Sequence, residues 1–244
     1  MGLVLTDTSC YENIANLIRE RAGTEIGYTP AEMPDAIRTA WDEAIFNIVF
    51  QDGKRTNAEY VCNRWKCEYI RPPYMVTVTS RPINAFSYNS LLKKIEKKYF
   101  DFSGYTSSSD TASTNGNYQV FYYCSSLEVM EDIGLPAGYY YQTWGGCSKL
   151  HTIELVRSRK TTLYFTPWNY CYELVNIRFE GEIGQDITFA SCSKLSNDSI
   201  NDIIDHLADL TGETAHTITW HSTVTENLTE EQCQRITNKN WKIA

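Results

Sequence analysis

The sequence predicts an α+β protein in which a β-rich repeat solenoid follows a helical segment and precedes an α/β cap. The solenoid is predicted by a pattern that occurs four times between residues 121 and 195: an aromatic residue, Cys three positions later and Leu three positions after that. The copies are Phe121/Cys124/Leu127, Trp144/Cys147/Leu150, Trp168/Cys171/Leu174 and Phe189/Cys192/Leu195. Their aromatic residues are 23, 24 and 21 positions apart, a range typical of stacked solenoid units.

The second observation that predicts the solenoid is a strand-like alternation of apolar and polar residues, which follows Leu150 and Leu174 of the regular copies. The residues predicted to point inward are Ile153, Leu155, Ile177 and Phe179, and those predicted to point outward are Thr152, Glu154, Asn176, Arg178 and Glu180. A second short β segment precedes the aromatic residue, at 117–121, 162–165 and 187–189. Each unit is therefore predicted to extend a sheet that runs through the repeats.

Residues 1–44 are predicted to be a helical attachment or oligomerisation segment. Two short helices are expected between residues 7 and 41, and the second begins with a capping box of Thr29 and Glu32 around Pro30. So small a helical pair cannot bury itself, so it must pack against something else.

Residues 45–195 are predicted to form the solenoid. Two degenerate copies precede the regular ones: Phe86/Asn89/Leu92/Ile95, and Val61/Arg64/Cys67/Ile70. Residues 103–117 are rich in Ser, Thr, Gly and Asn, a composition that cannot bury a core. They are predicted to be an exposed loop inserted between repeats.

Residues 196–244 are predicted to cap the open end of the solenoid, as repeat arrays require. A helix over about 198–210 has one apolar face and places Asp202, Asp205 and Asp209 on the other, and Gly212 ends it. A strand over 216–221 follows, and a capping box of Thr229 and Gln232 begins a helix that ends near Lys239.

Composition excludes several classes of partner. The net charge of −8 and the lack of basic clusters argue against nucleic acid, and the absence of a long apolar run argues against a membrane span. The eight Cys are expected to be buried reduced thiols, because four of them hold equivalent repeat positions and nothing indicates an oxidising compartment. Disulfides are one alternative, and a metal site is another, against which the absence of C-x-x-C argues. No nucleotide-binding or hydrolase motif occurs, so no catalytic residue, metal or cofactor is predicted, although a glycosidase-like pair of carboxylates is an alternative.

The pattern aromatic-x-x-Cys-x-x-Leu-x-x-Ile, over about residues 60–195, resembles the BspA-like leucine-rich repeat family. That resemblance implies a β-rich leucine-rich-repeat solenoid used for adhesion and recognition. The stretch from Leu5 to Ile37, with Ile14-Ala15 … Ile18-Arg19-Glu20 and Tyr28-Thr29-Pro30-Ala31-Glu32-Met33, resembles the start of virion proteins from tailed bacteriophages and prophages. The ending from Leu228 to Ala244 resembles the C-terminus of phage-borne repeat proteins of the same family.

Tyrosines between the repeat anchors are the predicted binding residues, because Tyr supplies large and stiff amphipathic contacts. The candidate ligand-binding residues are Tyr122, Tyr123, Tyr139, Tyr140, Tyr141, Arg157, Arg159, Tyr164, Asn169, Tyr170 and Tyr172. Partial burial of about half of these tyrosines is the alternative, whereas Trp144 and Trp168 are expected in the core. The pairs that vary before each Cys are Tyr-Tyr, Gly-Gly, Asn-Tyr and Ala-Ser, and they are where function is expected.

Together these observations predict a non-catalytic virion protein, made in the host bacterial cytoplasm and located on the tail or capsid surface. Its solenoid would recognise a host cell-surface glycan or protein, and residues 1–44 would bind other virion proteins. The same segment could also join copies of this chain in a homo-oligomer. The alternative is an architectural tail or capsid decoration protein whose partners are other virion subunits.

Overall fold

The computed structural model describes residues 54–55, 62–64, 68–72, 75–105 and 116–244. Residues 54–71 and 75–244 belong to one compact unit. The helices predicted between residues 7 and 41, Cys10, Cys67 and most of the predicted insertion loop lie outside the described residues.

Short strands dominate the described residues, and helices follow near the end of the chain. The strands are β1 Lys54–Arg55, β2 Val76–Val78, β3 Lys94–Ile95, β4 Phe100–Asp101, β5 Gly116–Tyr118, β6 Val129–Met130, β7 Tyr139–Tyr141, β8 Thr152–Arg157, β9 Tyr164–Phe165, β10 Asn176–Glu180, β11 Ile187–Phe189, β12 His216–Trp220 and β13 Trp241–Ile243. The helices are α1 Asn197–His206, α2 Ser222–Asn227 and α3 Glu230–Asn238. The predicted α+β class is confirmed. Because β5 begins at Gly116, the last two residues assigned to the insertion loop belong to a strand.

Every strand pair among these elements is parallel. The sheets have the orders β1-β2-β4, β3-β6-β8-β10, β5-β7-β9 and β11-β12-β13, and none of the four closes into a barrel. Thr152 pairs with Val129 on one side and with Asn176 on the other, which are steps of 23 and 24 residues. Gly116 pairs with Tyr139, and Tyr140 with Tyr164, at the same two steps. The strands β6-β8-β10 and β5-β7-β9 therefore recur at the interval of the sequence pattern.

The aromatic and Cys positions of the pattern form the core, as predicted for Trp144 and Trp168. Phe86, Phe121, Trp144, Trp168 and Phe189 are all fully buried or nearly so. Stacked ring pairs join Phe86 to Phe121, Trp144 to Trp168, and Trp168 to Phe189, with centroids 5.1, 6.0 and 4.6 Å apart. These contacts run from one repeat to the next and tie the repeats together.

A β-bulge changes which side chains of β8 point inward. The register between β8 and β10 shifts after Ile177, so Phe179 pairs with Val156. Val156 is buried, whereas Leu155, predicted to point inward, is partly exposed. The prediction for Leu155 is wrong because the bulge adds one residue to the strand and reverses the alternation after it.

Arg64 lies one position away from where the repeat pattern placed it. The pattern aligned Arg64 with Asn89, but its N–H donates to the Ser87 carbonyl at 2.9 Å, just as the Tyr88 N–H donates to Tyr122 at 2.7 Å. Arg64 and Tyr88 also share a left-handed backbone, with φ of 60° and 59°. Only the start of the first degenerate copy was therefore predicted out of register. The Cys62 N–H donates to the Ala85 carbonyl, which gives Cys62 the place assigned to Val61, whereas the bridge between Tyr69 and Lys94 keeps Ile70 level with Ile95 as predicted.

Helix α1 covers the free edge of strand β10. Ser196 caps the helix by accepting from the Ser199 N–H at 3.2 Å. The N–H groups of Ile177 and Phe179 donate to Ser199 Oγ at 3.0 Å and to Asp202 Oδ2 at 2.7 Å. Asp202 therefore faces the sheet edge, and the prediction that it lies on the face opposite the packed one is wrong. Side-chain acceptors replace the strand that would otherwise satisfy these backbone donors.

The remaining C-terminal elements follow the predicted order with two differences. Helix α1 ends at His206, earlier than expected from Gly212, because Ile183 forms a parallel bridge with Leu207. The short helix α2 was not predicted, and His221 caps it by accepting from the Thr223 N–H. The capping box of Thr229 and Gln232 is confirmed at the start of α3.

Candidate functional site: an exposed aromatic surface

The turns around Phe86, Phe121, Trp144 and Trp168 each have a left-handed residue two positions before the anchor and another two positions after it, whereas the turn around Phe189 has neither. The positions before the anchors are Asn84, Gln119, Gln142 and Thr166, and those after them are Tyr88, Tyr123, Gly146 and Tyr170. A left-handed backbone costs a residue with a Cβ atom about 1–2 kcal/mol, and only glycine avoids this cost. Three tyrosines occupy a position that suits glycine, and strained residues of this kind cluster at functional sites.

Tyr88, Tyr122 and Tyr123 form one packed group on this turn. Tyr88 and Tyr123 are parallel, with ring centroids 5.8 Å apart and an interplanar angle of 3°. Tyr122 meets both rings edge-on, at 5.6 Å from Tyr88 and 4.6 Å from Tyr123. Gly145 lies beneath the Tyr122 ring and Gly146 beneath the Tyr123 ring. Contacts among the three rings thus hold the group in place, and the two glycines beneath it leave room for the rings.

A second group forms a column along the sheet β5-β7-β9. Tyr118 stacks on Tyr141 with centroids 4.5 Å apart, and Tyr141 stacks on Phe165 at 4.8 Å, with interplanar angles of 4° and 3°. Tyr139 packs beside Tyr141 at 5.9 Å. Burial raises the pKa of Tyr122, and the neighbouring tyrosines raise it further.

We define the aromatic surface as these two groups together with Tyr170 and Tyr172, whose rings meet edge-on at 6.1 Å. Its members are Tyr88, Tyr118, Tyr122, Tyr123, Tyr139, Tyr141, Phe165, Tyr170 and Tyr172. Five of them, Tyr88, Tyr123, Phe165, Tyr170 and Tyr172, expose 44–49% of their area. Exposed large rings of this kind make the aromatic surface the candidate binding site, because exposed apolar patches are typical of such sites.

Six of the eleven candidate residues lie on this surface: Tyr122, Tyr123, Tyr139, Tyr141, Tyr170 and Tyr172. Tyr88, Tyr118 and Phe165 were not predicted. Alignment of the repeats could have found them, because Tyr88 follows its anchor by the same two positions as Tyr123. Tyr118 and Phe165 precede their anchors by the same three positions as Tyr141.

Tyr140 belongs to the core and is not an exposed binding residue. It is 0% exposed and stacks on Trp144 and Tyr164, with centroids 5.6 and 5.8 Å away. Its hydroxyl lies 2.9 Å from the Arg157 carbonyl oxygen, and burial raises its pKa well above the ordinary value. The prediction for Tyr140 is wrong because alternation along β7 turns its side chain inward, between Tyr139 and Tyr141.

Arg157 and Tyr164 are engaged in contacts that hold the fold. Arg157 forms two hydrogen bonds of 2.7 Å with the Asp132 carboxylate and lies 3.2 Å from Glu180. The Tyr164 hydroxyl lies 2.5 Å from Ser158 Oγ. The structure therefore gives these two residues packing and pairing roles away from the aromatic surface.

Arg159 and Asn169 are polar and partly accessible. The exposed Arg159 donates through Nη2 to the Ala137 carbonyl at 2.9 Å. Asn169 accepts from Ser191 Oγ at 3.1 Å, and its carbonyl accepts the Gly146 N–H at 2.8 Å. Asn169 therefore borders the turn that carries Gly146 and Tyr170.

A polar groove of about 590 Å³ lies where β8, β10 and α1 meet. Its carboxylates are Glu154, Asp198 and Asp202. Asp202 accepts the Phe179 N–H, and Glu154 accepts the Asp132 N–H at 3.0 Å. Two of the three carboxylates thus accept hydrogen bonds from backbone N–H groups next to the groove.

The part of the chain that the structure describes contains no cluster of three or more His, Cys, Asp or Glu able to hold a metal ion. No helix in the same residues is long and apolar enough to cross a membrane. Comparison of the chain with protein-family models, curated proteins and solved structures gives no match.

Proposed function

We propose that this chain is a BspA-like leucine-rich-repeat protein of a tailed-phage virion, and that its aromatic surface recognises a ligand on the host cell. The ligand is a glycan or a protein, and the protein acts by binding, without catalysis. Residues 1–44 attach it to the tail or capsid surface. The observation that carries the proposal is the placement of three tyrosines at strained turn positions on one exposed surface.

Recurrent backbone contacts support a solenoid over residues 45–195. Parallel strands pair at intervals of 23 and 24 residues in two separate sheets. Each Cys of the pattern directs its thiol at the carbonyl oxygen of the aromatic anchor one repeat earlier. Cys147 does so to Phe121, and Cys171 to Trp144. Units that repeat both strand pairing and core contacts in this way match the physics of stacked repeats. Residues 196–244 act as the cap, because α1 satisfies the edge donors of β10.

The chemistry of the surface supports recognition of an exposed ligand. Tyr offers an apolar ring and a polar hydroxyl with few rotatable bonds, so a binding surface made of Tyr loses little entropy on contact. The apolar C–H face of a sugar ring, or an apolar side chain, fits against such rings.

The aromatic column supports a second candidate, an architectural role in the virion. Because Tyr118, Tyr141 and Phe165 stack on one another, most of their ring faces are already covered. The column therefore presents ring edges and hydroxyl groups, which suit a flat contact with another virion subunit.

Binding to whole cells tests the proposal. The chain and a variant with Tyr123→Ala, Tyr170→Ala and Tyr172→Ala are compared on bacterial strains that display different surface polysaccharides and on a printed glycan array. We expect the variant to remain folded by circular dichroism, with a Tm lowered by the lost ring contacts, and to bind at least tenfold more weakly. Tyr69→Ala is the matched control, because Tyr69 is 41% exposed and lies outside the aromatic surface.

Three outcomes would contradict parts of the proposal. Equal binding by the triple variant rules out the aromatic surface as the recognition site. Loss of assembly with purified virion proteins, without any cell or glycan binding by the unmodified chain, favours the architectural role. Hydrolysis of a host polysaccharide by the purified chain overturns the non-catalytic assignment.

A further inference from the structure

Among the residues that the structure describes, the row of left-handed turn residues begins with an arginine. Backbone hydrogen bonds between successive turns give the row the order Arg64, Tyr88, Tyr123, Gly146 and Tyr170. All five have left-handed φ values, between 57° and 80°. The four members after Arg64 are uncharged, so Arg64 is the place in the row where a charged group of a ligand finds a counter-charge.

The turns that carry this row contain one charged side chain. They comprise residues 62–64, 84–89, 119–124, 142–147 and 166–171, and Arg64 is the only Asp, Glu, Lys, Arg or His among them. Their other polar side chains are hydroxyls and amides of Ser, Thr, Tyr, Asn and Gln. A ligand that lies along the row therefore meets neutral hydrogen-bonding groups and a single cation.

Arg64 is exposed and has no ion-pair partner among the described residues. Its guanidinium lies over the Tyr88 ring, 5.4 Å from the centroid, and such a cation–π contact leaves N–H groups free to donate. Arg71 lies over the Tyr69 ring in the same way, at 4.2 Å, but its Nε also donates to Glu96 at 2.9 Å. Of these two arginines, Arg64 is the one that keeps its charge available.

The neighbours of Arg64 in the row present hydroxyls and ring edges. Tyr88 lies between Arg64 and Tyr123 in the row, and Tyr123 stacks on it with an interplanar angle of 3°. The Tyr123 ring in turn lies over Gly146. Since the ring faces are in contact with these neighbours, the 44% of Tyr88 and of Tyr123 that is exposed comes mainly from edges and hydroxyls. A guanidinium beside phenol hydroxyls is a set of donors that suits an acid group.

We infer that Arg64 pairs with an acid group of a polysaccharide on the host cell, while the neutral sugars beside that group contact Tyr88 and Tyr123. This inference rests on the proposed function and adds the charge of the ligand to it. A guanidinium binds a carboxylate or a phosphate through two parallel hydrogen bonds. The acid group is therefore the carboxylate of a uronic acid or the phosphate of a phosphorylated sugar.

Charge density favours an acidic polysaccharide over a nucleic acid. A nucleic acid carries a phosphate on every nucleotide, and its binding requires several cations in contact with the phosphates. The turns offer one cation, on a chain with a net charge of −8. A polysaccharide with one acid group among several neutral sugars matches that arrangement. An acidic protein segment is the remaining candidate, and the experiment separates it.

The test changes the charge on the protein and on the ligand separately. Arg64→Gln removes the charge, and Arg64→Lys keeps the charge without the planar fork. Arg71→Gln is the matched control, because it removes an arginine that lies over a tyrosine outside the aromatic surface. The probe is the surface polysaccharide of a strain that the chain binds. It is titrated intact, after reduction of its carboxyl groups to alcohols, and after removal of its phosphate.

We expect Arg64→Gln to bind the intact polysaccharide at least tenfold more weakly than the unmodified full-length chain, with Arg64→Lys in between. Arg71→Gln should change binding less than twofold. The treatment that removes the acid group should weaken binding of the unmodified chain at least tenfold and abolish its advantage over Arg64→Gln, which identifies the acid as a carboxylate or a phosphate. Circular dichroism and Tm show whether each variant is folded, and the treated polysaccharide tests the pair without any substitution.

Other results overturn the inference in distinguishable ways. If the folded Arg64→Gln binds the intact polysaccharide like the unmodified chain, Arg64 is not the partner of the acid group, while the proposed function stands. Equal binding to the intact and the treated polysaccharides shows that the ligand is neutral. Binding to cells that is lost after protease treatment, with none to the polysaccharide, assigns the ligand to a protein. If the unmodified chain binds neither cells nor polysaccharide, the proposed function fails together with the inference.

Discussion

The Cys147 thiol lies 3.0 Å from the carbonyl oxygen of Phe121, one repeat earlier in the chain. The Cys124 thiol has the same relation to Phe86 and the Cys171 thiol to Trp144, at 3.0 and 3.1 Å. An S–H group is a small donor that satisfies a buried carbonyl without adding the volume of a larger side chain. This bond explains why Cys recurs at a position where no disulfide or metal site is formed by the described residues.

The buried thiols are expected to resist alkylation. Burial raises the pKa of Cys147 and Cys171 well above the ordinary value, and the thiolate is the reactive form. Under native conditions at pH 8, peptide mapping after iodoacetamide treatment should find Cys147 and Cys171 unmodified and the partly exposed Cys233 modified. All three should react in guanidinium chloride. Rapid native modification of Cys147 would contradict its place in the core.

Asp132→Asn should lower the free energy of unfolding by about 1–2 kcal/mol at pH 7, as expected for losing a charge-assisted hydrogen bond. The Arg157 hydrogen bonds hold the pKa of Asp132 below its ordinary value, so the folded state binds fewer protons there. The stability from this pair is therefore present above the ordinary Asp pKa and is lost as the pH falls through the lowered one. Urea unfolding at pH 7 and pH 2.5 should show a difference between variant and unmodified chain that shrinks in acid. Glu173→Gln, which breaks the exposed pair with Lys194, is the control and should have little effect.

Removing the acceptors that α1 offers to β10 should loosen the edge of the sheet. Asp202→Ala and Ser199→Ala should each cost about 1–3 kcal/mol, because the amide of Phe179 or Ile177 loses its partner. Hydrogen exchange should speed up at those two amides in the matching variant. Glu226→Ala, on the exposed face of α2, should leave both exchange rates unchanged. Equal protection in all variants would show that water or a shifted backbone replaces the side-chain acceptors.

Tyr170→Gly should leave the stability within about 1 kcal/mol of the unmodified chain. Relief of a left-handed backbone gains about 1–2 kcal/mol, which offsets the lost edge-on contact with Tyr172, worth about 0.5–1.5 kcal/mol. Trp168→Ala, two positions earlier, removes a fully buried ring and should cost about 3–5 kcal/mol. Thermal unfolding of both variants distinguishes a ring kept for binding from a ring kept for the core. A large loss in Tyr170→Gly would assign Tyr170 to the fold.

The repeat could be read from the sequence because each of its positions has one dominant physical requirement. Trp144, Cys147 and Leu150 are fully buried, and so are their counterparts 24 positions later, Trp168, Cys171 and Leu174, so the spacing records which residues enter the core. The capping box of Thr229 and Gln232 was likewise predictable, since its donors and acceptors lie within three residues of each other. Both signals are local or strictly periodic.

The site was only partly predictable, because exposure depends on neighbours that lie a full repeat away in the chain. Positions 139, 140 and 141 are all Tyr, yet only the middle side chain is buried, because side chains alternate along the strand and Tyr164 stacks on Tyr140. The bulge in β8 exchanged the roles of Leu155 and Val156, and no local pattern marks it. The hydrogen bond from Phe179 to Asp202 joins residues 23 positions apart and could not be read from helical periodicity.

By itself, the sequence determined the period, the anchor residues of the core and the α+β class, because these follow from burying one apolar set at regular intervals. The tertiary structure decided that Tyr88, Tyr123, Gly146 and Tyr170 share one row and that the Tyr123 ring lies over Gly146. A row of this kind exists only when separate turns are brought into register by backbone hydrogen bonds. The equivalence of its strained tyrosines and its single glycine is therefore visible only when the repeats are compared in three dimensions.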